Sequence, residues 1–180
     1  RSAMRAAPNV ILLGEVRDHE TMESSLKFAN TGHLCLTTLH ANNAVSALVR
    51  MVTFFPPEDQ NTEIARIAQN LRGIISQRLV PTADGKKCAA VEIMINTPRI
   101  QDLIVKQDFS ELRNAVEQGS KYQMRTFDQA LIELHESGKI TAETAIEYAE
   151  SKNNVSLHIR LNKGDGFDGA DLELHEIDRN

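Results

Sequence analysis

The sequence predicts an α/β fold: parallel strands with a ligand site at one sheet edge, then a small helical subdomain and a short β-like tail. Three observations predict it. Val10, Ile11, Leu12 and Leu13 run directly into Gly14 and Glu15. That is how a strand buried on both faces delivers one acid to the sheet edge where ligands of α/β folds bind. A second apolar stretch over 34–39 ends in Thr37 and Thr38, with His40 just beyond. From Thr97 onward the apolar spacing becomes that of short helices.

The elements follow in order. Residues 1–7 read as the end of a helix, stopped by Pro8 and turned by Asn9. Residues 10–14 are the first strand. Residues 20–30 are helical, with Met22, Leu26 and Ala29 on one face. After the second strand, Asn42 or Asn43 caps a helix reaching about Val52, and Phe54-Phe55-Pro56-Pro57 breaks it. Ile64, Ile67, Ala68, Leu71, Ile74 and Ile75 carry helical spacing over 58–77. Short strands at 78–80 and 89–95 flank the turn Ala83-Asp84-Gly85-Lys86 as a hairpin. Ile100, Leu103 and Ile104 mark one short helix, and Phe109, Leu112, Ala115 and Val116 the next. A helix over 127–137 ends at Gly138, and Thr141 caps another. Val155, Leu157, Ile159 and Leu161 alternate with Ser156, His158 and Arg160, as in a half-buried strand. Residues 163–170 form a Gly/Asp loop, after which Leu172, Leu174 and Ile177 return as a second strand. The expected divisions are 1–96 for the sheet-bearing core, 97–150 for the helical subdomain and 151–180 for an extension.

Bulk composition narrows the function. A chain of 180 residues with 41% hydrophobic and 25% charged residues is a globular domain, or one domain plus a satellite. A net charge of −5 argues against a nucleic-acid surface. No apolar run reaches the roughly 20 residues that cross a bilayer, and no signal peptide opens the chain. Cys35 and Cys88 fit no zinc or redox spacing, which makes a reducing cytoplasm the expected compartment. Cys35 reads most simply as a small core residue.

The wording of the two strands resembles a known family. Leu12-Leu13-Gly14-Glu15-Val16-Arg17-Asp18 followed by Thr31-Gly32-His33-Leu34-Cys35-Leu36-Thr37-Thr38-Leu39-His40-Ala41-Asn42-Asn43 is similar to the Walker B and histidine-box pair of the secretion ATPase superfamily. Within it, the sequence looks closest to type IV pilus retraction motors of the PilT/PilU type, PilU-like rather than PilT-like. Phe54-Phe55-Pro56, Gln77-Arg78-Leu79-Val80-Pro81, Ala90-Val91-Glu92-Ile93-Met94 and Thr126-Phe127-Asp128-Gln129-Ala130-Leu131 agree, in order. The resemblance implies the C-terminal part of a RecA-like ATPase sheet followed by a helical subdomain. The phosphate-cradling G-x-x-x-x-G-K-[ST] loop is absent from the sequence. In the family it lies upstream, so the chain is expected to be the C-terminal part of a longer motor and inactive alone.

The chemistry centres on Glu15. Hydrolysis of a terminal phosphate needs a carboxylate that orients and partly deprotonates the attacking water. The plainer reading is a strand-end acid in a local salt bridge; the histidine box beside it favours catalysis. His33 and His40 lie at opposite ends of one strand, seven residues at ~3.3 Å apart, or roughly 20 Å. They cannot both touch one phosphate. Chain direction puts His40 on the edge that carries Glu15, which makes it the better γ-phosphate sensor. The resemblance marks His33 as well, and geometry has it bracing the sheet or a subunit contact. Thr37 and Thr38 point to opposite faces, so only one of them faces nucleotide. Gly14 and Arg17 complete the nucleotide-binding set. Arg17 either counters the charge on Glu15, makes a subunit contact, or is a solvated loop residue. Asp18 caps the following helix. Arg50 matches a family arginine of unassigned role.

The resemblance implies ATP with Mg2+ held through water, a hexameric ring, and an inner-membrane pilus platform protein as the surface pushed upon. A PilT-type partner motor is a further expected partner, and the location is cytoplasmic at the inner membrane. Extension motors insert a tetracysteine zinc subdomain after the Gln-Arg-Leu strand; here residues 81–88 hold one cysteine, which favours retraction. Arg99-Ile100-Gln101-Asp102-Leu103-Ile104-Val105-Lys106 keeps the apolar spacing of the family's A-I-R-N-L-I-R-E helix and loses most of its charges. Gln123 replaces a glycine before Met124. The acids of Asp165-Gly166-Phe167-Asp168-Gly169-Ala170-Asp171 are three apart, unlike an EF-hand, so no resident protein-ligated metal is expected. Two other classes compete: a non-enzymatic module that docks on a complete motor and modulates it, and a DNA-handling RecA-like ATPase. The charge and the histidine-box wording disfavour the latter.

Overall fold

The structure is a computed structural model, and it describes residues 8–162. The expectations for 1–7, for the loop at 163–170 and for a second tail strand lie outside these residues.

Strand β1 (Val10–Glu15) pairs in parallel with β2 (Leu34–Thr38). Helix α1 (His19–Asn30) makes the crossover between them, begun by Asp18, whose carboxylate accepts from Thr21 N–H at 2.8 Å. The register runs Val10↔Leu34 to Leu12↔Leu36 and then slips, so that Glu15 sits opposite Thr38. Burial on both faces is not what the structure shows. Ile11 is buried, but Val10, Leu12, Leu34 and Leu36 are exposed, Leu12 at 76%. One face of the pair packs on α1 while the other stands open.

Helix α2 (Ala44–Thr53) begins at Asn43, whose side chain accepts from Ser46 N–H. Helix α3 (Gln60–Asn70) follows Pro56-Pro57. The helix expected over 58–77 therefore ends early, and Ile74 and Ile75 belong to β3 (Gly73–Pro81). The cause is local. Leu71 turns to extended backbone, and Asn96 Nδ2 donates to the carbonyls of Ala68 and Leu71 at 2.7 and 2.8 Å, capturing the helix end. At Gly73 the backbone passes so close to its partner that a Cβ would meet the Met94 carbonyl oxygen at 2.8 Å.

Strands β3 and β4 (Lys87–Ile95) form an antiparallel ladder from Gly73↔Ile95 to Pro81↔Lys87, the expected hairpin with longer arms. Gly85 provides the positive φ its turn requires. Helix α4 (Pro98–Lys106) starts at the Thr97 cap and α5 (Phe109–Glu117) at Asp108. After a 3₁₀ turn at Ser120–Tyr122, Gln123 adopts φ +60°, so the glycine replacement noted above occupies the left-handed region. Helix α6 (Phe127–Glu136) opens with a capping box of Thr126 and Gln129, and α7 (Ala142–Tyr148) with Thr141.

The half-buried strand expected at 155–161 is helix α8 (Lys152–Asn162). Residues spaced by two include pairs spaced by four, so one run satisfies both periods. The helical pair wins: Val155 and Ile159 are buried, whereas Leu157 and Leu161 are exposed. Val155 and Ile159 pack in one cluster with Phe127, Leu131, Ile140 and Ala145.

Two apolar clusters result. The first joins Val16, Met22, Leu26, Leu48, Ile64, Ile67, Met94, Ile100, Ile104 and Leu112 from α1 to α5 and the far end of the hairpin. The second joins Val80 and Ala90 at the hairpin's other end to α6, α7 and α8.

Candidate active site

The parallel pairing of β1 and β2 brings their C-terminal ends to one edge. There Glu15 Oε1 lies 3.1 Å from His40 Nε2, and Glu15 Oε2 accepts from Arg17 Nε at 2.7 Å. Thr38 Oγ1 donates to the Gly14 carbonyl at 2.6 Å, and Val16 N–H donates to the Thr38 carbonyl at 3.0 Å. The two strand ends are thereby laced together just where the register slips. A bulge re-aims side chains, and here Glu15 turns toward the end of β2.

The hydrogen bond from Arg17 holds the Glu15 carboxyl below its ordinary value, with the charges of Arg17, His40 and Arg50 acting in the same direction. Glu15 is therefore an anion near neutral pH. Arg50, on α2, lies over the Phe54 ring at 5.8 Å. Thr37 lines a groove of about 670 Å3 on the β2 side. Gly14 faces open space, since a Cβ there would meet nothing within 4 Å.

His33 does not join this group. It is held at the opposite end of β2, where its Nδ1 lies 2.9 Å from Thr31 Oγ1 and 3.2 Å from the Phe28 carbonyl oxygen. Cys35 is half-buried, and burial pushes its thiol up. His158 contacts Glu136 at 3.4 Å on the surface. Among the described residues no three His, Cys, Asp or Glu side chains converge as a metal site, and no helix is long and apolar enough to cross a membrane.

The groove itself runs between β2 and β3, lined by Leu34, Leu36, Thr38, Gly73, Ile75 and Gln77 among others. Among the described residues β2 pairs only with β1 and β3 only with β4. Two strand edges therefore border one slot.

Sequence reasoning passed over the polar groups behind this site. Arg78 and Glu92 stood only as letters of the stretches that resemble the family, and Glu150 not at all. A signal existed for Glu92: it shares the inward face of β4 with Ala90 and Met94, a charged residue where alternation calls for an apolar one.

The α/β architecture agrees with the C-terminal part of an ATPase domain, the class to which its similar solved structures belong. Residues 1–168 match the Type II/IV secretion system protein family, and the chain belongs to it. The chain is similar to the type IV pilus ATPase PilU of Pseudomonas aeruginosa, at 42% identity over 99% of this chain and 49% of that protein. It is similar to the type IV pilus retraction ATPase PilT of the same organism, at 38% identity over 86% of this chain and 45% of that protein. The solved structure of the pilus retraction motor PilT with bound ADP superposes at TM-score 0.71 with 38% identity, covering 83% of this chain and 43% of that one. The Yersinia pseudotuberculosis ATPase DotB also superposes at TM-score 0.71, with 28% identity over 87% of this chain and 39% of that one. The chain spans about half the length of these relatives.

Proposed function

We propose that this chain is the hydrolytic half of an ATP-driven motor subunit that powers type IV pilus retraction, and hence twitching motility. The observation that carries the reading is the Glu15–His40 pair, 3.1 Å apart at the shared end of two parallel strands. Glu15, anionic and held from one side by Arg17, accepts a proton from the attacking water and orients it. His40 senses the γ-phosphate and reports to Glu15 Oε1 through its Nε2. Thr38 locks the strand ends, and one of Thr37 and Thr38 faces the nucleotide. Gly14 leaves room for its approach, and Arg17 tunes the Glu15 charge. His33 braces the far end of β2.

The donor set fits ATP with Mg2+ only in part. A single carboxylate with no convergent ligands suits an ion held through water and by groups outside the described residues. When bound, the ion would neutralise phosphate charge. The slot between β2 and β3 suits a further strand, and we assign it to an upstream segment bearing the phosphate loop. The exposed apolar face of β1 and β2 favours the same assignment.

In this reading the complete protein forms a hexameric ring in the cytoplasm and pushes on an inner-membrane platform protein, with a PilT-type motor as its companion. The division 1–96, 97–150 and 151–180 is proposed for core, helical subdomain and extension. The test is ATPase activity of the full-length gene product, wild type against Glu15→Gln, with assembly followed by light scattering. Wild type should turn over ATP, and the variant should bind it while losing about 10²-fold or more in kcat. A wild type that binds no nucleotide would transfer the chain to the class of non-enzymatic modules that dock on a complete motor.

A further inference from the structure

The His40 side chain is 80% exposed, so little packs against its ring and its place is set by its backbone. The segment just beyond it is held from three directions, twice through its backbone and once through the Asn43 side chain. Arg78 Nη2 donates to the Asn42 carbonyl at 3.3 Å, while Nη1 donates to the Tyr148 carbonyl at 2.9 Å and the guanidinium lies 4.4 Å from the centre of the Phe127 ring. Asn43 Nδ2 donates to Glu150 Oε1 at 2.8 Å. Ala44 N–H donates to Glu92 Oε2 at 2.7 Å.

The last of these is the most telling. Glu92 is 6% exposed, and burial pushes its carboxyl above the ordinary value against the pull of the hydrogen bond from Ala44 N–H; a carboxyl taken out of water is costly unless specific donors reward it. Its donor is the first amide of α2, the end of a helix that favours negative charge. Glu150 is held in turn. Arg113 Nη1 lies 3.0 Å from Glu150 Oε2, Arg113 Nη2 donates to Asp128 Oδ2 at 2.8 Å, and Asp128 accepts from the backbone N–H groups of Glu150 and Ser151. The chain of contacts runs from the segment after His40 to the junction of α7 and α8.

We propose that Glu92 and Glu150 are positioning residues for His40. By fixing residues 42–44 they set the approach of His40 Nε2 to Glu15 Oε1, and they tie that approach to the placement of the C-terminal helices. The proposal rests on the Glu15–His40 reading above.

The experiment is a double-mutant cycle in the full-length gene product. Glu92→Ala, Glu92→Gln and Glu150→Ala are each made with His40 and with His40→Ala, and kcat, KM for ATP, single-turnover rate and melting temperature are measured. Glu92→Ala and Glu150→Ala should each lower kcat about tenfold with KM for ATP little changed, because a small misplacement of a reacting group is expensive. Glu92→Gln, whose carbonyl still accepts from Ala44 N–H, should stay within about twofold of wild type. In the His40→Ala background the losses should shrink below about twofold, the non-additivity of groups acting through one another. Equal losses in both backgrounds, or a Gln variant as impaired as the Ala variant, overturn the proposal. Should the melting curve show that Glu92→Ala does not fold, Glu150→Ala carries the cycle alone. An inactive wild type, or a Glu15→Gln variant with undiminished turnover, removes the Glu15–His40 reading itself. An active wild type, an inactive Glu15→Gln variant and an additive cycle remove only the positioning role.

Discussion

The β1–β2 pair and the β3–β4 hairpin are each two strands wide, and they are enclosed very differently. Val80 and Ala90 are buried in one apolar cluster at one end of the hairpin and Met94 in the other cluster at the far end, while Ile75, Leu79 and Ile95 on its other face are exposed. The β1–β2 pair buries Ile11 and shows Val10, Leu12, Leu34 and Leu36 to solvent. The residues assigned to catalysis sit on the less enclosed pair, and the hairpin behind it supplies the fixed frame. Rigidity and chemistry are placed on different strands, and the loop 42–44 joins them through Arg78, Glu92 and Glu150.

The severest way to break the hairpin side of this contrast is Phe127→Ala. Phe127 is fully buried against Val80 and Ala90 and beneath the Arg78 guanidinium. Its loss should cost about 3–5 kcal/mol, read by denaturant unfolding. On the open side, Arg17→Ala tests the electrostatics of the site. The Arg17 hydrogen bond lowers the Glu15 pKa, so its removal should move that pKa up. The acid limb of the kcat profile of the full-length protein should then shift to higher pH. An unmoved limb would mean that Glu15 does not govern it. The smallest effect is expected for Leu12→Ser, which should change the stability of this chain by no more than about 0.5 kcal/mol. In the full-length protein the same change should cost clearly more, if an upstream segment covers that face.

Much of this was legible in the sequence because it is local. The caps at Asp18 and Thr141, and the one read as Asn42 or Asn43, each act within three residues, and the direction of two parallel strands suffices to put His40 near Glu15. The end of α3 was hidden because the side chain that fixes it, Asn96, comes from beyond the next hairpin. Helix α8 was read as a strand because its apolar residues fit both periods, and only packing against Phe127 and Ala145 selects between them. The brace behind His40 lay furthest out of reach. Its bonds join residues 48 and 107 positions apart, and no short window contains both ends.

One hairpin thus serves two cores, and this governs how the molecule comes apart. Neither cluster can open fully without loosening the ladder that the other one anchors, so the helices 127–162 and the strand pair leading to Glu15 and His40 are expected to melt together. The amides at the middle of β3 and β4, between the two clusters, become the last to exchange with deuterated solvent. They report on the integrity of the edge proposed for catalysis.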